Sequence, residues 1–87
     1  MLKIGEFANL FNISIKTVRF YEEKELFKPF YIDKYSGYRY YDEKNINQMA
    51  KILYLKGLDF SLEEIKNYND KLVKDKIEEY KKRKILK

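Results

Sequence analysis

Two short apolar runs at helical spacing, near the start of the chain, limit its fold more than any other feature. The first run predicts a helix with one apolar stripe, formed by Ile4, Phe7, Ala8 and Phe11. Asn12 ends that helix, and Ser14 is a suitable N-cap for a second helix that reaches about Lys24. We expect the second helix to turn three residues toward the core: Ile15, Val18 and Tyr21. Two short helices with so brief a connection predict a helix-turn-helix, in which the second helix is offered to a partner.

The segment after Pro29 predicts a small two-stranded β-hairpin, or wing, over Phe30 to Tyr41. Five of the nine tyrosines lie in it, and Ser36-Gly37 supplies the turn. Successive strand residues face opposite sides, so Tyr40 or Tyr41 is expected in the core.

Two further helices are predicted after the wing. Asp42 caps a third helix over about Glu43 to Lys56, and Gly57 allows a left-handed residue that ends it. Its apolar face is predicted to hold Ile46, Met49, Ala50 and Leu53. Residues 61 to 64 read Ser-Leu-Glu-Glu, a capping box that starts a fourth helix at Leu62. That helix is expected to stop near Asn69-Asp70.

The last 17 residues predict a fifth helix that differs in character from the rest. Its apolar stripe fits a dimer seam and holds Leu72, Val73, Ile77 and Tyr80. We therefore divide the chain into a domain over 1–70 and the start of a dimerisation helix over 71–87. Because no stop signal follows, we expect that helix to continue beyond Lys87.

Composition removes several classes of function. The chain has no Cys and no His, so it lacks a disulfide framework, a thiolate metal site and an imidazole base. We therefore expect no enzyme, no cofactor and no metal. No apolar run approaches the roughly 20 residues that a bilayer span requires, and no secretory signal is visible.

The net charge of +5 suggests an anionic partner, but its location is uneven. Residues 1 to 70 carry 11 basic and 11 acidic side chains, so the excess belongs to the last helix. Two segments nevertheless contain bases and aromatics without any acid, Ser14 to Tyr21 and Lys34 to Tyr41. They hold two of the three arginines in a chain with 16 lysines, and arginine can bind a phosphate bidentately.

Four motifs in order and spacing make the chain resemble the N-terminal DNA-binding domain of the MerR family of bacterial transcription regulators. They are Ile4-Gly5-Glu6-Phe7-Ala8, Thr17-Val18-Arg19-Phe20-Tyr21-Glu22, Gly37-Tyr38-Arg39-Tyr40-Tyr41 and Phe60-Ser61-Leu62-Glu63-Glu64-Ile65. The stretch Leu26-Phe27-Lys28-Pro29 is most similar to the multidrug-sensing branch of that family. Three departures stand out: Glu25 and Asp59 where the family usually has Gly, and Phe20 where it often has Tyr.

The resemblance implies a mainly α, winged helix-turn-helix domain that dimerises through a C-terminal helix. Such a dimer would bind a palindromic operator in double-stranded DNA, distort it and engage RNA polymerase, with an effector bound in a domain absent from this chain. The expected location is the bacterial cytoplasm, in association with the nucleoid. The DNA contacts carried over are Lys16, Thr17, Arg19, Tyr21, Lys34, Tyr38 and Arg39.

Plainer interpretations stay open for some of these residues. Arg19 can pair with Glu22 or Glu23 on its own helix, and Arg39 can pair across the wing. The whole chain can also be an excisionase-like protein that bends DNA. A third possibility is a protein-interaction module that docks through its last helix, and the balanced charge of residues 1 to 70 motivates it.

Overall fold

The computed structural model describes residues 1–68 and Glu78. Its seven elements are, in chain order, β1 (Leu2–Lys3), α1 (Ile4–Leu10), α2 (Ile15–Glu23), β2 (Tyr31–Ile32), β3 (Arg39–Tyr41), α3 (Glu43–Gly57) and α4 (Leu62–Lys66). This confirms a mainly helical winged helix-turn-helix. The predicted dimerisation helix and its seam residues Leu72, Val73, Ile77 and Tyr80 lie outside the described residues. Within the described part, no helix combines the length and apolar character of a membrane span.

The helix-turn-helix forms as its local signals predict. Asn12 takes a left-handed conformation with φ of 55°, which turns the chain after α1. The Ser14 hydroxyl oxygen then accepts a hydrogen bond from the Thr17 amide at 3.0 Å and caps α2. Val18 and Tyr21 are buried as predicted, but Ile15 is 46% exposed. The prediction for Ile15 is wrong because this first residue of α2 lies at a groove, away from the core.

The wing belongs to a three-stranded antiparallel sheet in the order β1-β3-β2, one strand more than the sequence predicts. Leu2 pairs with Tyr41, and Tyr31 pairs with Tyr40 on the other side of β3. In the turn between β2 and β3, the Asp33 carboxylate accepts hydrogen bonds from two backbone amides at 2.8 and 3.0 Å. The amides, from Ser36 foremost, lower the pKa of Asp33. β1 therefore joins the start of the chain to the wing.

Helix α3 presents a different face to the core than its apolar spacing predicts. Met49 is fully buried, but Ala50 is exposed, so the prediction for Ala50 is wrong. Ile46 and Leu53 are partly buried, and Ile52 and Leu55 take the central positions. The helix is rotated because three layers cover it, and this brings the polar Asn45 inside at 3% exposure.

Asn45 fastens the wing segment to the start of α3. Its Oδ1 accepts hydrogen bonds from the Phe30 amide at 2.9 Å and the Asp42 amide at 3.2 Å. Its Nδ2 donates to the Lys28 carbonyl at 2.8 Å and to Gln48 Oε1 at 2.9 Å. Both polar atoms of this buried side chain are therefore satisfied.

The turn after α3 uses a different residue than predicted. Gly57 stays helical, and Asp59 takes the left-handed conformation with φ of 65°. The capping box at Ser61 and Glu64 is confirmed, with bonds of 3.1 and 3.0 Å in its two directions. Helix α4 ends at Lys66, a few residues before the predicted stop.

Aromatic rings connect the helix-turn-helix to the sheet in the core. Phe7 of α1 and Tyr41 of β3 are fully buried and stack at 4.3 Å between ring centroids. This confirms that one of Tyr40 and Tyr41 is a core residue. Phe27, Met49, Leu55 and Phe60 complete the centre of the same cluster. The wing is thereby held at a fixed position beside α1 and α2.

Candidate nucleic-acid interface

A groove of about 610 Å³ lies between the start of α1, helix α2 and the wing. Three of the predicted DNA contacts line it: Arg19, Tyr38 and Arg39. Its other lining residues come from the chain start, the first turn of α2 and the wing turn: Lys3, Ile4, Gly5, Glu6, Ile15 and Gly37. The fold thus brings together residues that stand far apart in the sequence. Tyr38 is 59% exposed at this groove, which leaves its ring available to a partner.

Arg39 is held by an acid of α2. Its Nε donates a hydrogen bond to Glu22 Oε1 at 3.0 Å, and the two side chains are 25% and 19% exposed. Arg39 lies within β3 opposite Ile32, not at the tip of the hairpin where the sequence suggests it. Because Nε takes the carboxylate, the terminal nitrogens of the guanidinium form no hydrogen bond within the described residues.

Arg19 and Lys3 are the other cations of the groove. Neither forms an ion pair within residues 1–68 and Glu78, so the alternative pairing of Arg19 with Glu22 or Glu23 is absent there. Glu6 is the acid of the groove, and its carboxylate accepts a hydrogen bond from the Lys3 amide at 2.9 Å. The groove therefore presents more positive than negative charge.

The outer face of α2 continues from this groove. A second hollow is lined by Ile15, Lys16, Arg19, Phe20 and Glu23. Lys16 is exposed there, and the Thr17 hydroxyl lies 2.9 Å from the Ser14 hydroxyl. The predicted recognition helix is thus accessible along one side, with an arginine shared between the two hollows.

Comparison with known proteins identifies the family. The model of the MerR HTH family regulatory proteins matches residues 2–72 of the chain. This chain belongs to the MerR family. It is 44% identical over 75 residues to the transcriptional regulator BrlR of Pseudomonas aeruginosa, which covers 86% of this chain and 26% of BrlR. It is 42% identical over 67 residues to the multidrug-efflux transporter 1 regulator of Bacillus subtilis, which covers 77% of this chain and 24% of that protein.

The chain therefore spans about a quarter of the length of these two MerR-family relatives. Among solved structures, it is similar to the N-terminal part of the Bacillus subtilis multidrug transporter activator MtaN, with a TM-score of 0.79 and 27% identity over 97% of this chain and 85% of that one. It is also similar to EcmrR in the EcmrR-DNA complex of EcmrR-RPo, with a TM-score of 0.74 and 26% identity over 94% of this chain and 32% of that one. The described part of the chain is a MerR-family winged helix-turn-helix DNA-binding domain.

The remaining predicted contacts of this MerR domain lie apart from the groove. Tyr21 is a core residue at 8% exposure, so little of its side chain is accessible. Lys34 is exposed at the turn of the wing, with its Nζ 5.8 Å from the centroid of the Tyr35 ring. Tyr35 itself is 91% exposed. The wing turn thus forms a separate basic and aromatic tip.

Under the Arg39–Glu22 pair lies the buried hydroxyl of Tyr41. It is a buried side-chain polar atom that has no hydrogen-bond partner among the described residues. Burial foremost, and then the negative charge of Glu22, raise the pKa of Tyr41 to about 12. The phenol is therefore neutral under ordinary conditions, and it adds no charge to the groove.

Sequence reasoning misses two residues of this MerR interface. Lys3 is missed because it reaches the groove through β1, a two-residue strand that exists only by pairing with β3. Glu22 is considered only as a partner of Arg19, since a bond to a residue 17 positions away has no signal in helical spacing. Among the described residues, no group of three or more acidic side chains is arranged to hold a metal ion.

Proposed function

We propose that this MerR domain binds an operator in double-stranded DNA by placing α2 in the major groove and its flanking groove on the phosphate backbone. The observation that carries the proposal is the meeting of α1, α2 and the wing around one groove with excess positive charge. In a helix-turn-helix the second helix reads base edges, while phosphate contacts set its register. The DNA complex of the similar protein EcmrR supports this arrangement.

The exposed residues divide between the two tasks. Lys16 and Thr17 near the start of α2 are the proposed base-side contacts. Arg19, Tyr38 and Arg39 are the proposed phosphate contacts, together with Lys3 from β1. Lys34 would reach the backbone from the wing turn, and Tyr21 would contribute its hydroxyl alone because its ring is buried.

Dimeric binding is part of the same proposal. The apolar stripe of Leu72, Val73, Ile77 and Tyr80 would form the seam with a second copy of the chain. Two copies would then contact two half-sites about one helical turn apart and distort the operator between them. The shares of about a quarter of two relatives fit an effector domain elsewhere in the full protein. RNA polymerase at the promoter, in the bacterial nucleoid, is the proposed target of the distortion.

Selection from a random duplex library tests this function. We expect the chain to enrich duplexes with a palindromic pattern and to bind them more tightly than shuffled versions. Lys16→Ala should reduce that preference, because base contacts specify the sequence. Lys44→Ala is the matched control, since Lys44 is exposed on α3 and lines a separate hollow. A chain that enriches no duplex, or a Lys16→Ala variant with full preference, would contradict the proposal.

A further inference from the structure

The bond between Arg39 and Glu22 joins the wing directly to the second helix of the helix-turn-helix. It spans 17 positions of sequence and connects β3 to α2 at 3.0 Å. Of the ion pairs among the described residues, the other links Glu25 to Lys66 on the far side of α2. The Arg39 pair is much less exposed, so its charges are less well screened by solvent than those of a surface pair.

The atoms used by this bond decide what Arg39 still offers. A guanidinium can bind a phosphate through Nε and one terminal nitrogen, or through its two terminal nitrogens. Glu22 occupies Nε, which leaves the two terminal nitrogens on a residue that lines the groove. A backbone phosphate can therefore be bound in the second way while the pair with Glu22 stays intact.

We infer that Glu22 is a positioning residue for DNA binding, which holds Nε of Arg39 so that the terminal nitrogens of its guanidinium stay available to a backbone phosphate. The inference rests on the proposed function. The pair also fixes the wing against α2, so the contacts of the two elements stay in register on the duplex. Without Glu22, the long arginine side chain would lose its fixed orientation and more conformational entropy would be lost on binding.

Simple electrostatics predicts the opposite effect of removing this acid. A carboxylate near DNA repels the phosphates, so its deletion should strengthen binding if charge alone mattered. A positioning role makes the deletion weaken binding. Glu23, the next residue of α2, is an exposed acid without an ion pair among the described residues, and it provides the matched control.

The test measures binding of the full chain to a fluorescein-labelled duplex of about two helical turns by fluorescence anisotropy at several salt concentrations. We expect Glu22→Ala to weaken binding on the order of tenfold. Glu22→Gln should retain most of the affinity, because its amide oxygen still accepts from Nε. Glu23→Ala should bind as tightly as the wild type or more tightly.

The salt dependence separates positioning from a defect in folding. Loss of one phosphate contact lowers the log–log salt slope by about 0.9, so Glu22→Ala and Arg39→Ala should lower it equally. Glu22→Ala should cost nothing further in an Arg39→Ala background. Unchanged or tighter binding by Glu22→Ala, an unchanged slope, or additive losses in the double variant would each overturn the inference alone. A wild-type chain without affinity for duplex DNA would overturn the proposed function as well.

Discussion

Replacing Asn45 with alanine should destabilise the domain far more than its place on an amphipathic helix suggests. The side chain is 3% exposed and forms four hydrogen bonds. Alanine would leave the Phe30 amide and the Lys28 carbonyl without these partners in a partly buried place. Each such group costs about 1–3 kcal/mol when it stays unsatisfied.

The surroundings decide where in that range the loss falls. A hollow of about 390 Å³ borders Asn45, Lys28 and Phe30, so water can reach part of the site. We therefore expect a loss near the lower end, about 2 kcal/mol in the free energy of unfolding. In a domain of this size that loss lowers Tm by about 8–16 °C.

Urea unfolding followed by circular dichroism measures this loss, with thermal unfolding as a second reading. Asn47→Ala is the matched control because Asn47 is exposed on the same helix, and its effect should stay within about 0.5 kcal/mol. Asn45→Asp should also destabilise, since its carboxylate would face the Lys28 carbonyl that now accepts from Nδ2. If Asn45→Ala unfolds within about 0.5 kcal/mol of the wild type, the reasoning from unsatisfied backbone groups is refuted.

Three further predictions follow from the same structure. Lys3→Ala should lower the log–log salt slope of duplex binding by about 0.9, whereas Lys44→Ala should leave it unchanged in the same anisotropy titration. Asp59→Val should lower the free energy of unfolding by about 1–2 kcal/mol because φ is positive at this residue, and Asp59→Gly should not, as urea unfolding would show. Tyr41→Phe should leave stability at neutral pH unchanged or raised, because the hydroxyl it removes has no partner among the described residues. The pKa of Tyr41 is about 12 in the folded chain and about 10 when unfolded, so stability should fall as pH rises from 10 through 12. Unfolding in that pH range should show a smaller fall for Tyr41→Phe, and an equal fall would contradict the assignment.

Local chemistry explains which parts of the fold are predictable. Ser14, Asp42 and Ser61 each accept a hydrogen bond from a backbone amide three residues ahead, so helix starts are visible in a few neighbouring residues. The two departures from family glycines are also visible locally. Glu25 and Asp59 both have positive φ, as the glycines they replace would allow.

Glu25 shows where local reasoning ends. Its carboxylate binds Lys66 Nζ at 2.8 Å, and this hydrogen bond foremost lowers the pKa of Glu25. The two residues are 41 positions apart, so no spacing rule predicts that α2 is tied to α4. The exposure of Ala50 and the burial of Asn45 have a similar origin, because the layers packed on α3 set its rotation.

The sequence by itself determined the helices, their caps, the presence of a wing and the family, because these depend on side chains within a few residues of one another. It also determined that Arg19 and Arg39 are scarce arginines in acid-free segments. Only the tertiary structure decided that Lys3 joins them through β1, and that Glu22 holds Arg39 by its Nε. The reason is physical: strand pairing and ion pairs between distant residues depend on how the core brings elements together, and the stacked rings of Phe7 and Tyr41 fix that geometry here.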